Sequence, residues 1–205
     1  IIQVMVHFIT FSTYVYLKLR KFGICKILCL PFLHNIYAAE YLNASLSLRD
    51  LNDSIRICYI GVIDNERVNI KELAKLVYEL HKALGKNIEV HIIARPDQKV
   101  KEVDKWIRSW LRLVVTKRFI SNDKKRELLH KCDVAVFMAE RVRFVIPPLF
   151  VVEAHSCGCL IYAPFLANVL KKEGLSNVYS SINELIEELR RRFCSNLGYE
   201  NDYKV

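Results

Sequence analysis

The chain has 205 residues, of which 52% are hydrophobic and 26% charged, and this composition excludes an intrinsically disordered protein. Its length predicts one large domain, or one domain with an appendage, that buries a core of its own. The formal net charge of +9 favours anionic partners, namely nucleotide phosphates, an acidic membrane surface or nucleic acid.

Seven cysteines occur without a Cys-x-x-Cys pair or a histidine-rich segment, so we expect no zinc site. Several stand inside apolar runs, which indicates reduced core thiols and a cytosolic compartment. No apolar stretch reaches the length needed to span a bilayer. Residues 1–16 are hydrophobic but interrupted by polar side chains, so we expect no signal peptide there. An opening isoleucine is what we expect of a chain that begins inside a longer one.

The first predicted elements are a strand over residues 1–9, a helix over 13–22 and a buried strand over 25–30. Residues 37–54 are polar and irregular, which is typical of a hinge or linker. A strand over residues 55–60 follows and ends at a glycine.

A helix is predicted over residues 70–84, because its leucines fall on one face and Gly85 stands where a left-handed residue ends a helix. Further strands are predicted over 88–93, 113–116, 134–138 and 160–163, and further helices over 100–110, 122–132, 148–156, 165–172 and 182–193. This alternation predicts an α/β fold, with right-handed crossovers and a Rossmann-like parallel sheet covered by helices on both faces.

The most informative segment is residues 145–159, which predicts a turn, a short helix that begins at Pro148, and a buried strand. Glu153 lies one to two turns into this helix, near its positive end. At the carboxyl edge of a parallel sheet, the helix N–H groups can face phosphate while the acid binds ribose hydroxyls. The alternative is a surface glutamate on an ordinary crossover helix.

These residues resemble the C-terminal half of a GT-B glycosyltransferase, and most of all glycosyltransferase family 4. The likeness rests on Gly61 after a strand, on Arg67 six positions later, and on the Glu-Ala-x-x-x-Gly pattern that starts at Glu153. It implies residues 1–36 as the end of a truncated N-terminal domain, 37–54 as a linker, 55–194 as the nucleotide-sugar-binding domain and 195–205 as a tail.

The resemblance also implies roles for single residues. Glu153 holds the ribose hydroxyls of a nucleoside-diphosphate sugar, and the N–H groups of Leu149 and Phe150 cradle its diphosphate beside the Gly61 turn. Arg67 neutralises the leaving group. The resemblance further implies that transfer retains the anomeric configuration and that it needs no metal or other cofactor. The donor carries UDP, GDP or ADP, and the acceptor is a glycan or a lipid.

The sequence differs from the family pattern at three places. Val145 stands where the family has a first glutamate, residues 146–148 replace a glycine-rich turn, and Val62 leaves Arg67 as the only member of a basic pair. Arg95, Lys117 or Arg118 would restore positive charge to the cleft. The alternative is therefore a catalytically inactive descendant that binds a nucleotide or a protein.

The remaining partners follow from charge and from the resemblance. The positive charge and a lipid acceptor fit a cytoplasmic protein that docks at the periphery of a membrane. The apolar face of a donor domain is expected to be covered either by a missing N-terminal domain or by a second copy in a homodimer. We expect no nucleic acid, because no recognition motif accompanies the basic runs at residues 124–126 and 190–192, which solvated helix faces explain equally well. His91, His130 and His155 are expected to be structural, and Trp106 and Trp110 to share the core-facing side of one helix.

Overall fold

The fold is that of a computed structural model, which describes residues 8–10, 27–29, 54–61, 70–95, 109–139 and 149–196. The strands β1 (Phe8–Thr10) and β2 (Ile27–Cys29) pair in parallel and coincide in part with the strands predicted there. The predicted helix over residues 13–22 lies outside the described residues. The proposed domain boundaries stay predictions.

A second sheet has six strands in the order β5-β4-β3-β6-β7-β8, and every neighbouring pair is parallel. Its strands are β3 (Ser54–Ile60), β4 (Asn87–Ala94), β5 (Leu111–Lys117), β6 (Val134–Val136), β7 (Leu160–Tyr162) and β8 (Val178–Tyr179). The predicted α/β class and parallel sheet are thereby confirmed. The edge strand β8 was not predicted, because two residues carry no periodic signal.

The helices of the described ranges are α1 (Ile70–Leu84), α2 (Asn122–Lys131), α3 (Leu149–Ser156), α4 (Ala167–Lys172) and α5 (Ile182–Asn196). The helix α1 has the predicted bounds. It ends at Gly85, which has φ +62° and donates its N–H to the His81 carbonyl at 2.9 Å. The helix α2 begins after Ser121, whose side chain accepts a hydrogen bond from the Lys124 N–H at 3.3 Å.

Alternate residues of the strands face two separate cores. On one face Ile57 packs with Leu76 of α1 and Leu185 of α5, and all three side chains are fully buried. On the other face Cys58 packs with the buried sides of α2, α3 and α4. Helices therefore cover both faces of the sheet, as the sequence predicts.

One predicted helix end is wrong. Residues 96–108 lie outside the described residues, but Ser109 and Trp110 form a turn instead of the end of a helix over 100–110. The Trp110 carbonyl accepts the N–H of Ile88 at 2.9 Å. The backbone at Trp110 is therefore already joined to β4, and β5 begins at the next residue.

The strand order places a topological switch point between β3 and β6. The chain runs from β3 through β4 to β5, and then returns to β6 on the other side of β3, where Ile57 pairs with Val134. In open α/β sheets, ligands bind beyond the carboxyl ends of the strands at such a point. Gly61 follows β3, and α3 follows β6 along the chain.

Candidate functional site

The turn after β3 is closely packed. The Gly61 N–H donates to the Ile93 carbonyl at 3.0 Å, which extends the ladder by one bond. A Cβ atom at Gly61 would lie 3.0 Å from the Tyr59 hydroxyl oxygen, so a side chain here would force Tyr59 to move. The Tyr59 ring meets the Phe150 ring edge to face, with centroids 6.3 Å apart. Tyr59 thus links the glycine turn to the beginning of α3.

The helix α3 presents its first two residues differently. The Leu149 side chain is exposed, whereas Phe150 is buried against the second core. The first N–H groups of any helix have no acceptor within that helix, and together with the helix dipole they form a site for an anion. The N–H groups of Leu149 and Phe150 therefore suit a phosphate.

Glu153 is almost completely buried, with 3% of the residue exposed. Its Oε1 atom accepts a hydrogen bond from Lys125 Nζ at 2.6 Å, and the lysine comes from the first turns of α2. Burial of a carboxylate is costly unless it is paired, and this ion pair supplies the partner. Sequence reasoning assigned Lys125 to a solvated basic run and missed this contact.

No family model matches the sequence, and no curated protein matches it. Solved structures are similar in fold. TarM superimposes with a TM-score of 0.59 and 10% identity, over 93% of this chain and 37% of TarM. A UDP-forming α,α-trehalose-phosphate synthase from Burkholderia xenovorans gives a TM-score of 0.51 and 13% identity, over 82% of this chain and 44% of that one.

A trehalose-6-phosphate synthase gives a TM-score of 0.50 and 14% identity, over 80% of this chain and 43% of the synthase. All three are GT-B glycosyltransferases. The chain has the fold of a GT-B glycosyltransferase domain. It spans less than half the length of each of these three structures.

The GT-B fold brings some predicted site residues together and leaves others outside the described residues. Gly61 and α3, which carries Glu153, follow the two strands that flank the switch point. The residues outside the described ranges are Arg67, Val145, Pro147 and Pro148. Arg95 lies exposed directly after β4, and Lys117 and Arg118 lie exposed at the end of β5, so these cations stand at the carboxyl edge of the sheet.

Three histidines, one on β4 and one on each of α2 and α3, contact neighbouring side chains or backbone. His91 Nε2 lies 2.6 Å from Glu89 Oε1 on the same strand. His155 Nε2 accepts the N–H of Ser176 at 3.2 Å. His130 Nε2 lies 3.9 Å from the Cys157 sulfur.

Trp110 also has a structural partner. Its ring stacks on His81 with centroids 4.1 Å apart and an interplanar angle of 3°. Trp110 packs, partly buried, against the first core, but it does so from a turn, so the helical face that it was expected to share with Trp106 is wrong for Trp110. Trp106 lies outside the described residues.

Four cysteines of the described ranges, namely Cys58, Cys132, Cys157 and Cys159, are buried thiols that form no disulfide bond. Burial raises the pKa of the Cys58 thiol well above its ordinary value, and neighbouring Cys132 and Cys159 raise it further. A raised pKa keeps the Cys58 thiol protonated and therefore unreactive as a nucleophile. Within the described ranges, no three acidic, cysteine or histidine side chains form a group that could hold a metal ion.

The basic run on α5 is internally neutralised. Arg191 pairs with Glu188 at 2.8 Å, and Arg190 pairs with Glu187 at 2.6 Å. This supports a solvated helix face over a nucleic-acid groove. Over the residues that the structure describes, no helix is long and apolar enough to cross a membrane.

Proposed function

We propose that this chain binds a nucleoside-diphosphate sugar and serves as the donor domain of a retaining glycosyltransferase similar to family 4. The observation that carries the proposal is the position of the Glu153 carboxylate. It lies on α3, the helix that follows β6 beside the switch point, and Lys125 of α2 forms an ion pair with it. An acid and free helix N–H groups at one sheet edge match the ribose and the diphosphate of such a donor.

Each residue has a defined role in this proposal. Glu153 accepts hydrogen bonds from the ribose, while the N–H groups of Leu149 and Phe150 bind the diphosphate near Gly61. Arg67 stabilises the negative charge that develops on the diphosphate as the glycosidic bond breaks. Fixed cations and helix N–H donors are the electrostatic support that this leaving group needs. One of the similar structures, a trehalose-6-phosphate synthase, is described as an enzyme of glycosyl transfer with retention.

The proposed partners follow the same chemistry. The donor carries a UDP, GDP or ADP group, and the acceptor is a glycan or a lipid. The net charge of +9 would favour docking at an anionic membrane surface on the cytoplasmic side. One of the similar structures is described as UDP-forming, which makes UDP the first nucleotide to test.

The test is calorimetry of the chain with UDP-glucose, GDP-mannose and ADP-glucose. We expect Glu153→Gln to weaken binding by about 1–3 kcal/mol, the usual cost of losing a hydrogen bond to a charged group. Arg67→Ala should weaken it most at low salt, where screening is least. Glu127→Gln is the matched control, because Glu127 is an exposed glutamate on α2 that pairs with Lys131 on the same helix. Affinity unchanged in both site variants would place the ligand elsewhere.

A second candidate is a catalytically inactive module that binds a nucleotide or a protein. It is favoured by Val145, which has no carboxylate for the donor sugar, and by the burial of Glu153 beneath Lys125. Nucleotide binding that depends on Glu153, without sugar transfer, would support this candidate over the enzyme.

A further inference from the structure

The ion pair at the candidate site is asymmetric in its exposure. The Lys125 side chain is 17% exposed, whereas that of Glu153 is only 4% exposed. Lys125 is the fourth residue of α2, and Glu153 is the fifth residue of the eight-residue α3; the two helices follow β5 and β6 along the chain. Because the Lys125 ammonium lies 2.6 Å from the carboxylate and is the more exposed of the two groups, a ligand bound at Glu153 would lie within its reach.

The two groups have complementary hydrogen-bonding capacities. An ammonium donates three hydrogen bonds, and a carboxylate only accepts them. Their mutual contact at 2.6 Å uses one donor of Lys125 and one oxygen, Oε1, of Glu153. Two ammonium donors and the Oε2 atom keep capacity for a ligand.

A hydroxyl group needs both kinds of partner, because it donates one hydrogen bond and accepts others. Two adjacent hydroxyls on a ribose ring present two such groups side by side. A carboxylate alone accepts hydrogen bonds from these hydroxyls but donates none to the lone pairs of their oxygen atoms. A carboxylate with an ammonium 2.6 Å away satisfies both.

Building on the proposed function, we propose that Lys125 and Glu153 together recognise the vicinal diol of the ribose. Lys125 donates to a ribose hydroxyl oxygen, and that hydroxyl or its neighbour donates to Glu153. Lys125 is then a specificity-determining residue that selects ribonucleotides over 2′-deoxyribonucleotides. A lysine that only held Glu153 in place would affect both nucleotides equally.

The first measurement uses the unmodified chain. UDP, GDP and ADP are titrated by calorimetry, and whichever binds is compared with its 2′-deoxy and 3′-deoxy forms. We expect each deoxy form to bind about 10- to 100-fold more weakly, the range for one hydrogen bond to a charged group. Equal affinity for the ribo and deoxy forms overturns the proposal.

Substitutions then assign the preference to Lys125. We expect Lys125→Met to lose most of the discrimination, and Lys125→Arg, which keeps charge and donors, to retain it. The control is Lys131→Met on the same helix, where the lysine side chain is 56% exposed and pairs with Glu127. Since Lys125→Met leaves Glu153 buried without its partner, the double variant Lys125→Met/Glu153→Gln is also compared with Glu153→Gln alone. Adding Lys125→Met should remove the discrimination that remains in Glu153→Gln.

The outcomes separate this inference from the proposed function. If Lys125→Met weakens ribo and deoxy forms by the same factor, or tightens both, the inference is wrong while the nucleotide site stands. If Glu153→Gln abolishes binding but Lys125→Met leaves the ratio unchanged, the inference alone fails. If no nucleotide binds to any form of the chain, the proposed function fails and the inference fails with it.

Discussion

Among the described residues, the buried carboxylate of Glu153 has one ion-pair partner, Lys125, which lies on the neighbouring helix α2. Replacing one member of a buried ion pair costs far more than replacing both, because the remaining charge loses its partner without regaining water. The ion pair of Lys125 and Glu153 thus connects the first turn of α2 with the middle of α3. Under the proposed function, the same contact contributes to stability and to ligand recognition.

Glu89 on β4 is a second buried acid, 9% exposed, and it faces His91, Arg56 and Arg112. Burial alone would raise the pKa of Glu89, but the hydrogen bond from His91 and the charges of His91, Arg112 and Arg56 outweigh it and lower the pKa below its ordinary value of 4.5. A lowered pKa in the folded state means that the carboxylate stabilises the fold above pH 4.5. This contribution is lost as the pH falls through the folded-state pKa.

We therefore expect Glu89→Gln to be less stable than the unmodified chain at pH 7, and the difference to shrink below pH 4.5. Urea unfolding at pH 7, 4.5 and 3 measures it. Glu187→Gln is the control, because that side chain is 70% exposed on α5. A stability difference that is the same at pH 3 and pH 7 would contradict the expectation.

At the scale of elements, the C-terminal end of α1 depends on the left-handed backbone conformation of Gly85. Gly85 has φ +62°, and a Cβ atom there would have no heavy atom within 4 Å. The only cost of a side chain is then the left-handed backbone, which is about 1–2 kcal/mol for most residues and less for asparagine. We expect Gly85→Ala to lower the free energy of unfolding by about 1 kcal/mol.

Gly85→Asn is the comparison for that measurement, and it should lose less stability than Gly85→Ala. Denaturant unfolding of the two variants and the unmodified chain gives the difference. Equal losses in both variants would show that contacts beyond the backbone conformation decide this helix end.

Local signals explain which elements could be predicted. The bounds of α1 follow from its periodic leucines and from Gly85, both of which are visible in the sequence. The turn at Trp110 follows from a hydrogen bond to Ile88, which lies 22 residues away along the chain and has no periodic signature. The turn at Trp110 and the two-residue strand β8 lack a periodic local signal, so the first was misplaced and the second was missed.

The residues of the candidate site also differ in whether the sequence alone could place them. Parallel topology alone places Gly61 and Glu153 beyond neighbouring strands, so their shared edge could be predicted. The partner of Glu153 could not, because Lys125 lies 28 residues away within a run of three basic residues. Nothing in the run distinguishes the partly buried Lys125 from its exposed neighbour, Lys124.

For the whole molecule, binding and transfer are separate requirements. The six-stranded sheet has the fold of a GT-B domain, and the chain spans 37% of TarM and 44% of the Burkholderia xenovorans synthase. The proposed donor binding needs only the sheet edge that carries Gly61 and Glu153. Transfer also needs an acceptor held in line with the glycosidic bond, and such positioning is worth about 7–11 kcal/mol of the barrier.

We therefore expect this chain by itself to bind nucleotide sugars without transferring sugar at a measurable rate. Val145 adds to this expectation, because its side chain cannot hydrogen-bond the donor sugar as the first family glutamate does. The measurement is nucleotide release from UDP-glucose, GDP-mannose and ADP-glucose, with and without lipid acceptors. Steady release that disappears in Glu153→Ala would contradict the expectation and establish the chain as a complete enzyme. Release that persists in Glu153→Ala would point to a contaminating activity, because the proposed donor site would then have no part in it.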